Sequence, residues 1–529
     1  MFGSSPGLNE KKVFDLHTKA APPSRAQLSV AATLAMTVLG FAVVLGPRRS
    51  DTALAADPSR SLKEVELSLG DIEQLQISRN LSQSVLTDSP PPSKLQESSQ
   101  VYPLPNLRKV VVEGGKDGRV MLGERPSFAS RVGDRYASLT HGNNFVFYTV
   151  DPDLQQFVAN LVNKAQAKHV AIVAMNPRTG AVLAIAGKSP TIEDIEYHAG
   201  FPAASLFKVV TAAAAVEEAG IQPESLIPFR GGTYTLNEWN YLPDAKKDRK
   251  TMSVAEALGR SCNPVFGHLG TRFLNGSILQ KYSRLFGFNR SLQLEAPLPT
   301  SSAEIPKQDL YGLSRTAAGF GDVTISPVHA AALMSGVANG GLLPRPYLVQ
   351  EVVSRDGEIL NRTKPDVLNR VVQPSTAASL MEMMRYTTTV GTSRREFMRG
   401  SRPTLGNIEV AGKTGTLRGE NPLGLNNWFI GSAPLNNPEL SLAVITVDAP
   451  YSGKASRLGR KVFERYFNIE PVPDEPVYTR VSQKKRFQTT RRKASPTVKK
   501  KTVVAKKPSK KAATAASSTK KSKKSVSKR

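Results

Sequence analysis

Between Ala26 and Gly46 the chain reads AQLSVAATLAMTVLGFAVVLG, 21 residues without a charge. Such a run is stable only in hydrocarbon or in a protein core. A helix needs about 20 apolar residues to cross a bilayer. The core is the poorer home, because Pro47, Arg48 and Arg49 end the run and no sustained period follows until about Asn106. SQSVLTDSPPPSKLQESSQ within that stretch has the composition of a spacer. A cleaved signal peptide is the rival reading, since Ala53-Leu54-Ala55 has the A-x-A form, although it lies past two arginines. Either reading implies export or anchoring. Flanking charge does not orient the segment: Lys11, Lys12, Lys19 and Arg25 precede it, and Arg48, Arg49, Arg60 and Lys63 follow.

The other end of the chain is the opposite in character. From Lys484 to Arg529 there are 19 lysines and arginines and no acid, out of a net charge of +27 for all 529 residues. That composition cannot build a core and predicts a disordered basic tail. The single cysteine, Cys262, excludes an internal disulfide and a cysteine metal cluster, and is expected to be a buried small hydrophobe. The histidines at 17, 141, 169, 198, 268 and 329 show no metal-ligand spacing. Neither metal nor cofactor is expected.

LRKVVVEGG and GRVMLG suggest two short strands of a small module. Regular structure is expected from Thr149. Asp151 caps a helix with Pro152 first and Leu154, Phe157, Val158, Leu161, Val162 and Ala165 on one face. HVAIVAMNPRTGAVLAIAG reads as a hairpin. AASLFKVVTAAAAVE reads as a helix stopping at Gly220, and Ser326-Pro327 opens another that ends at Asn339-Gly340-Gly341. NIEVAGKTGTLRG, NNWFIGSAP and LSLAVITVDAP read as three strands, the first two joined by a Gly/Pro/Asn-rich loop. Hairpin, then helices, then strands predicts an α+β fold: a mostly antiparallel sheet assembled from both ends of the sequence, flanked by helices, with a helical subdomain. The expected segments are an N-terminus on the cytoplasmic side (1–25), a transmembrane anchor or uncleaved signal (26–46), a linker (47–106), a small module (107–146), a catalytic domain (147–470) and a Lys-rich tail (471–529).

An apolar helix that begins with Ser205 and Lys208 needs a reason. Residues three apart share a helix face, so the lysine can reach the hydroxyl. A serine needs a base to become a nucleophile, and lysine serves only if its pKa falls through apolar burial or a nearby positive charge. The spacing alone is weak, since S-x-x-K also occurs at Ser482, Ser517, Ser518 and Ser525. Two further motifs follow in order: Ser261-Cys262-Asn263, and Lys413-Thr414-Gly415 on an expected strand. Ser261 and Asn263 taken alone read as a helix cap before Pro264.

This ordered set, with YTVDPDLQQ, NPRTGAVLAIAG, FPAASLFKVVTAAAAVEEAGI, GFGDVTISPVHAAALMSGVANGG and NNWFIGSAP, resembles the transpeptidase domain of penicillin-binding proteins from about Phe147 to about Pro450. The resemblance implies a serine D,D-transpeptidase of the monofunctional type that cross-links peptidoglycan stem peptides and binds β-lactams covalently. Ser205 would be the nucleophile and Lys208 its base. Ser261 would relay a proton to the leaving amine, and Asn263 would bond the substrate's peptide carbonyl. Lys413 would keep the pocket positive and bias Lys208 toward neutrality. Thr414 and Thr416 would hold the terminal carboxylate, and the backbone N–H groups of Ser205 and Thr416 would form the oxyanion hole. Gly415 would leave room for a substrate strand. His198, shortly before Ser205, is expected at the surface.

The segment ahead of the domain is short for a glycosyltransferase module, and the tail is foreign to the family pattern. Alternatives that keep Ser205 are a D,D-carboxypeptidase or β-lactamase, in which water takes the acyl group, and a non-catalytic β-lactam sensor. The expected location is the inner membrane, in a single pass through Ala26–Gly46, with the catalytic domain outside. A single crossing puts the tail on that same side, where anionic envelope polymers or lipid head groups are its expected partners and nucleic acid is not.

Overall fold

The computed structural model describes residues 107–115, 119–450 and 454–473. The apolar segment 26–46, the linker 47–106 and the tail from residue 474 lie outside the described residues. Among the described residues no helix is long and apolar enough to cross a membrane.

Five antiparallel strands form the central sheet: β1 (His169–Met175), β2 (Val182–Lys188), β3 (Ala411–Glu420), β4 (Leu423–Ala433) and β5 (Leu440–Val447), in the order β3-β4-β5-β1-β2. The two ends of the sequence meet where β5 pairs with β1, Val444 opposite Ile172. Strand β1 is apolar from Val170 to Met175 because both of its faces are covered. Val170, Ile172 and Ala174 enter one core, and Ala171, Val173 and Met175 enter the other. Leu154, Val158 and Val162 of helix α1 (Pro152–Lys164) join the first core, as expected from their spacing. The helix is capped as its sequence predicts: Leu154 N–H donates to Asp151 Oδ1 at 2.7 Å.

The second core holds helix α2 (Phe207–Ala219), α3 (Pro327–Ala338) and α4 (Pro374–Thr389). Helix α2 has no exposed face over its first nine residues, all of which are buried. Burying Phe207 alone contributes about 2 kcal/mol. Gly220 ends the helix with φ 60°, a left-handed backbone suited to glycine. Short helices at Val254–Gly259, Asn263–His268, Gly276–Leu285 and Leu310–Ala317 make up the helical part of the fold. Helix α5 (Ala455–Tyr466) covers the same face of the sheet as α1.

Two elements differ from expectation. Strands Arg135–Thr140 and Phe145–Tyr148 belong to a second sheet, completed by Val349–Val353 and Ile359–Arg362 from inside the catalytic segment. The module expected at 107–146 thus shares its sheet with chain some 200 residues later, and Arg135 Nη1 seals the join by donating to Glu351 Oε1 at 2.8 Å. The loop expected between β3 and β4 shrinks to Asn421-Pro422, because pairing continues to Glu420 opposite Leu423.

Candidate active site

Ser205 sits on a 3-10 turn, Ala204–Leu206, that leads into α2, so nucleophile candidate and helix are one rigid unit. The turn is held from several sides. Phe201–Pro202 pairs with Thr324–Ile325, Ala203 N–H donates to Val323 O at 2.9 Å, and Trp428 Nε1 donates to Pro202 O at 2.9 Å. Ala204 has a left-handed φ of 51°, a conformation that costs about 1–3 kcal/mol in a residue other than glycine. Gly319, at φ +88°, lies under it, and a Cβ there would stand 2.3 Å from the Ala204 carbonyl oxygen.

One turn later, Lys208 Nζ is 2.9 Å from Ser205 Oγ and 2.8 Å from Asn263 Oδ1, and it also bonds the Ala318 carbonyl oxygen. Asn263 is oriented by its own contacts: Nδ2 donates to Tyr234 O at 2.9 Å and its backbone N–H to Thr233 O at 2.8 Å. The amide oxygen therefore faces the lysine. Both Asn263 Oδ1 and Ala318 O only accept. A neutral amine has two N–H donors and one lone pair. With both donors committed to these oxygens, the lone pair is left for the Ser205 hydroxyl proton. Lys208 is 0% exposed, and burial pushes its pKa down to about 7.

Ser261 has a left-handed φ of 57°. It is not a helix cap, and neither is Asn263: Cys262 holds the cap position of the helix Asn263–His268, with no side-chain bond. The Ser261 hydroxyl accepts from Lys413 Nζ at 3.0 Å, and Lys413 also donates to the Thr414 carbonyl at 2.7 Å. Lys413 is fully buried, and its pKa is held well below the ordinary value, by burial first and by the charge of Lys208 second. Repulsion from Lys413, expected to bias Lys208 toward neutrality, is not among the causes at Lys208. Burial is the first cause at both amines, and the repulsion enters at Lys413. None of their hydrogen-bond partners is a carboxylate, so two charged ammonium groups have nothing here to balance them.

Ser205, Lys208, Ser261, Asn263 and Lys413 thus form two linked serine–lysine pairs, joined through the Ser261–Asn263 segment. Thr414 and Thr416 are more exposed and lie on the other face of edge strand β3 from Lys413 and Gly415. They bond elsewhere: Thr414 Oγ1 lies 2.6 Å from Thr392 Oγ1, and Thr416 Oγ1 accepts from Asn427 Nδ2 at 3.1 Å. Gly415 has a neighbour that the sequence does not indicate. A Cβ there would point at the Ser205 turn, 3.3 Å from Ala203 O and Ala204 Cβ, so the glycine serves strand-to-turn packing.

Cys262 is fully buried and free, with its thiol pushed up to about 11 by burial. His198 is half-buried, with Nε2 3.1 Å from Asn421 O in an exposed contact. Thr392, Asn427 and the Ala318 carbonyl are not among the residues expected from the sequence. The last two lie beside or within segments that carried the resemblance, GFGD and NNWFIGSAP, which was the available signal.

Comparison with known proteins comes to the same place. The family model for the penicillin binding protein transpeptidase domain matches residues 170–466. The peptidoglycan D,D-transpeptidase PbpA of Mycobacterium tuberculosis is 28% identical over 404 residues, which cover 68% of this chain and 80% of that protein. Stage V sporulation protein D of Bacillus subtilis is 26% identical over 327 residues, 57% of this chain and 49% of that one. Among solved structures, the D,D-transpeptidase domain of a peptidoglycan glycosyltransferase from Eggerthella lenta shares the fold, with a TM-score of 0.53 and 22% identity over 68% of this chain and 98% of that one.

Proposed function

The chain belongs to the penicillin-binding protein transpeptidase family, and we propose on that premise that it is a peptidoglycan D,D-transpeptidase working through an acyl-enzyme on Ser205. The observation that carries this is the buried Lys208 amine, 2.9 Å from Ser205 Oγ and tied to two acceptor-only oxygens. Lys208 takes the hydroxyl proton as Ser205 Oγ attacks the carbonyl of the penultimate residue of a stem peptide. The backbone N–H groups of Ser205 and Thr416 hold the oxyanion, each such donor typically worth about 3 kcal/mol of barrier. Asn263 bonds the peptide carbonyl. Ser261, bonded to Lys413, hands a proton to the leaving amine, and the terminal residue departs with its carboxylate released from Thr414 and Thr416. The amine of a second stem peptide then attacks the ester and gives its proton to Ser261, restoring that hydroxyl, while Lys208 returns the first proton to Ser205 Oγ as the ester C–O bond breaks, which regenerates the serine and leaves a new amide. A β-lactam enters by the same first step, but its leaving amine stays tethered.

This chemistry needs substrate outside the membrane. The uncharged run 26–46 and the short spacer after it support a single-pass anchor with the catalytic domain on the outer side. The composition of the tail supports electrostatic binding to an anionic envelope polymer or lipid surface.

Treatment of the full chain with penicillin, followed by peptide mass spectrometry, tests the assignment. One adduct is expected, on Ser205, and none in Ser205→Ala. Turnover of a D-Ala-D-Ala peptide should yield a cross-linked product when an amine acceptor is added. An adduct on another residue, or hydrolysis alone in the presence of acceptor, overturns the reading.

A further inference from the structure

We infer that Asn427 is a positioning residue, which aims the Thr416 hydroxyl proton outward and so selects ligands that end in a free carboxylate. The inference rests on the acyl-transfer reading above and names the residue that sets its carboxylate preference. Thr416 on β3 stands directly opposite Asn427 on β4. Asn427 lies between two partners. On one side its Oδ1 accepts the Ala455 N–H at 3.2 Å. Ala455 is the first residue of α5, and the first N–H groups of a helix have no partner within it. The cap residue Lys454 supplies no side-chain acceptor for them, so a strand residue does.

That contact fixes the amide. A backbone N–H only donates, so the oxygen of Asn427 must face Ala455 and the nitrogen must face Thr416. Nδ2 lies 3.1 Å from Thr416 Oγ1 and also only donates. The Thr416 oxygen therefore accepts, and its own proton has to go elsewhere. Thr416 is exposed, so that proton points to solvent or to a ligand. A threonine without this neighbour would turn its hydroxyl freely between donor and acceptor orientations. With it, the hydroxyl is a ready donor for an anion.

Asn427→Asp separates this from a structural role. It keeps the volume and the acceptor for Ala455, and a negative charge near a helix N-terminus is favourable. What it reverses is the side facing Thr416, where an oxygen now accepts the hydroxyl proton. The experiment compares second-order acylation of the full chain by penicillin G and by its methyl ester, with Tm recorded for every variant. The expected result for Asn427→Asp is a loss of about tenfold or more with the free acid and under about threefold with the ester. Asn427→Ala should lose severalfold with the acid, and under about twofold once Thr416→Val is already present, because it acts through that hydroxyl. Equal losses with acid and ester, or an undiminished Asn427→Ala effect in the Thr416→Val background, overturn the inference while leaving acylation at Ser205 standing. A wild-type chain that forms no Ser205 adduct with either compound overturns the parent reading as well.

Discussion

The two walls of the site are built on different principles. On the helical wall, Lys208 is sealed from water and bonded to Ser205, Asn263 and Ala318. On the strand wall, Thr414 and Thr416 stand partly or fully in solvent on an edge strand, each with one side-chain partner. The difference fits the roles proposed for the two walls. A lysine becomes a base only when its charged form is penalised, and burial is the direct way to penalise it. A carboxylate binds only where it can take the place of water, so its donors must stay reachable. Lys413 links the walls: its backbone belongs to the strand, and its amine is buried against Ser261.

Charge at Lys208 is the sharpest way to break this contrast. Lys208→Arg keeps a cation but removes any base, because arginine does not deprotonate at a workable pH. Acylation by penicillin should fall about a hundredfold or more, the usual contribution of general-base catalysis. Retention of a tenth of wild-type activity would be fatal to the role assigned here. In the wild type the same argument fixes the sign of the pH dependence. Only the neutral amine can take the proton, and its pKa lies at about 7. The rate should climb about tenfold per pH unit below 7 and level off above it, and stopped-flow acylation across pH 5 to 9 would read the slope.

Two glycines probe the rigidity of each wall. A Cβ at Gly319 would stand 2.3 Å from the Ala204 carbonyl oxygen and 2.9 Å from Ser205 Cα, with φ at +88°. Gly319→Ala must displace the backbone that carries Ser205, and a shift of about 1 Å in the proposed nucleophile costs on the order of a hundredfold in rate. At Gly415 the nearest atoms lie at 3.3 Å and φ is ordinary. Gly415→Ala needs only a small adjustment and should cost distinctly less in both acylation and Tm. The reverse ranking would mean that the strand, not the Ser205 turn, is the inflexible side.

Much of this site was legible in the sequence because its parts are local. Ser205 and Lys208 are one turn apart, Ser261 and Asn263 flank one residue, and Lys413 to Thr416 is one stretch of strand. The apolar hairpin at one end and the strands at the other also revealed a sheet closed between distant segments. Contacts without a residue signature were not legible. The Ala318 carbonyl is a backbone atom, and any residue could supply it. Thr392 and Asn427 matter through cross-strand and loop proximity that spacing does not encode. Strands Arg135–Thr140 and Phe145–Tyr148 pair with each other, but the sheet they belong to is completed by Val349–Val353, which pairs with Phe145–Tyr148 from some 200 residues away and leaves no mark in the local sequence. The contact of Gly415 with the Ser205 turn was not legible either, because a strand pattern does not say which face meets that turn.

The smallest expected effect lies closest to the chemistry. Cys262 sits between Ser261 and Asn263, fully buried. The same loss of water that lowers Lys208 to about 7 raises the Cys262 thiol to about 11. Burial favours the neutral form of both groups, with opposite consequences. The neutral amine is the reactive base, whereas the neutral thiol is the inert form of a cysteine. Cys262 is therefore expected to fill space and to take no part in proton transfer. Cys262→Ala should acylate within about twofold of wild type and lose about 1 kcal/mol of stability from the small cavity. A thiol-alkylating reagent should leave native wild-type acylation unchanged and label Cys262 only after denaturation. A large rate loss in Cys262→Ala at unchanged Tm would show that the helical wall contains a third chemical group, and that burial there does more than tune one lysine.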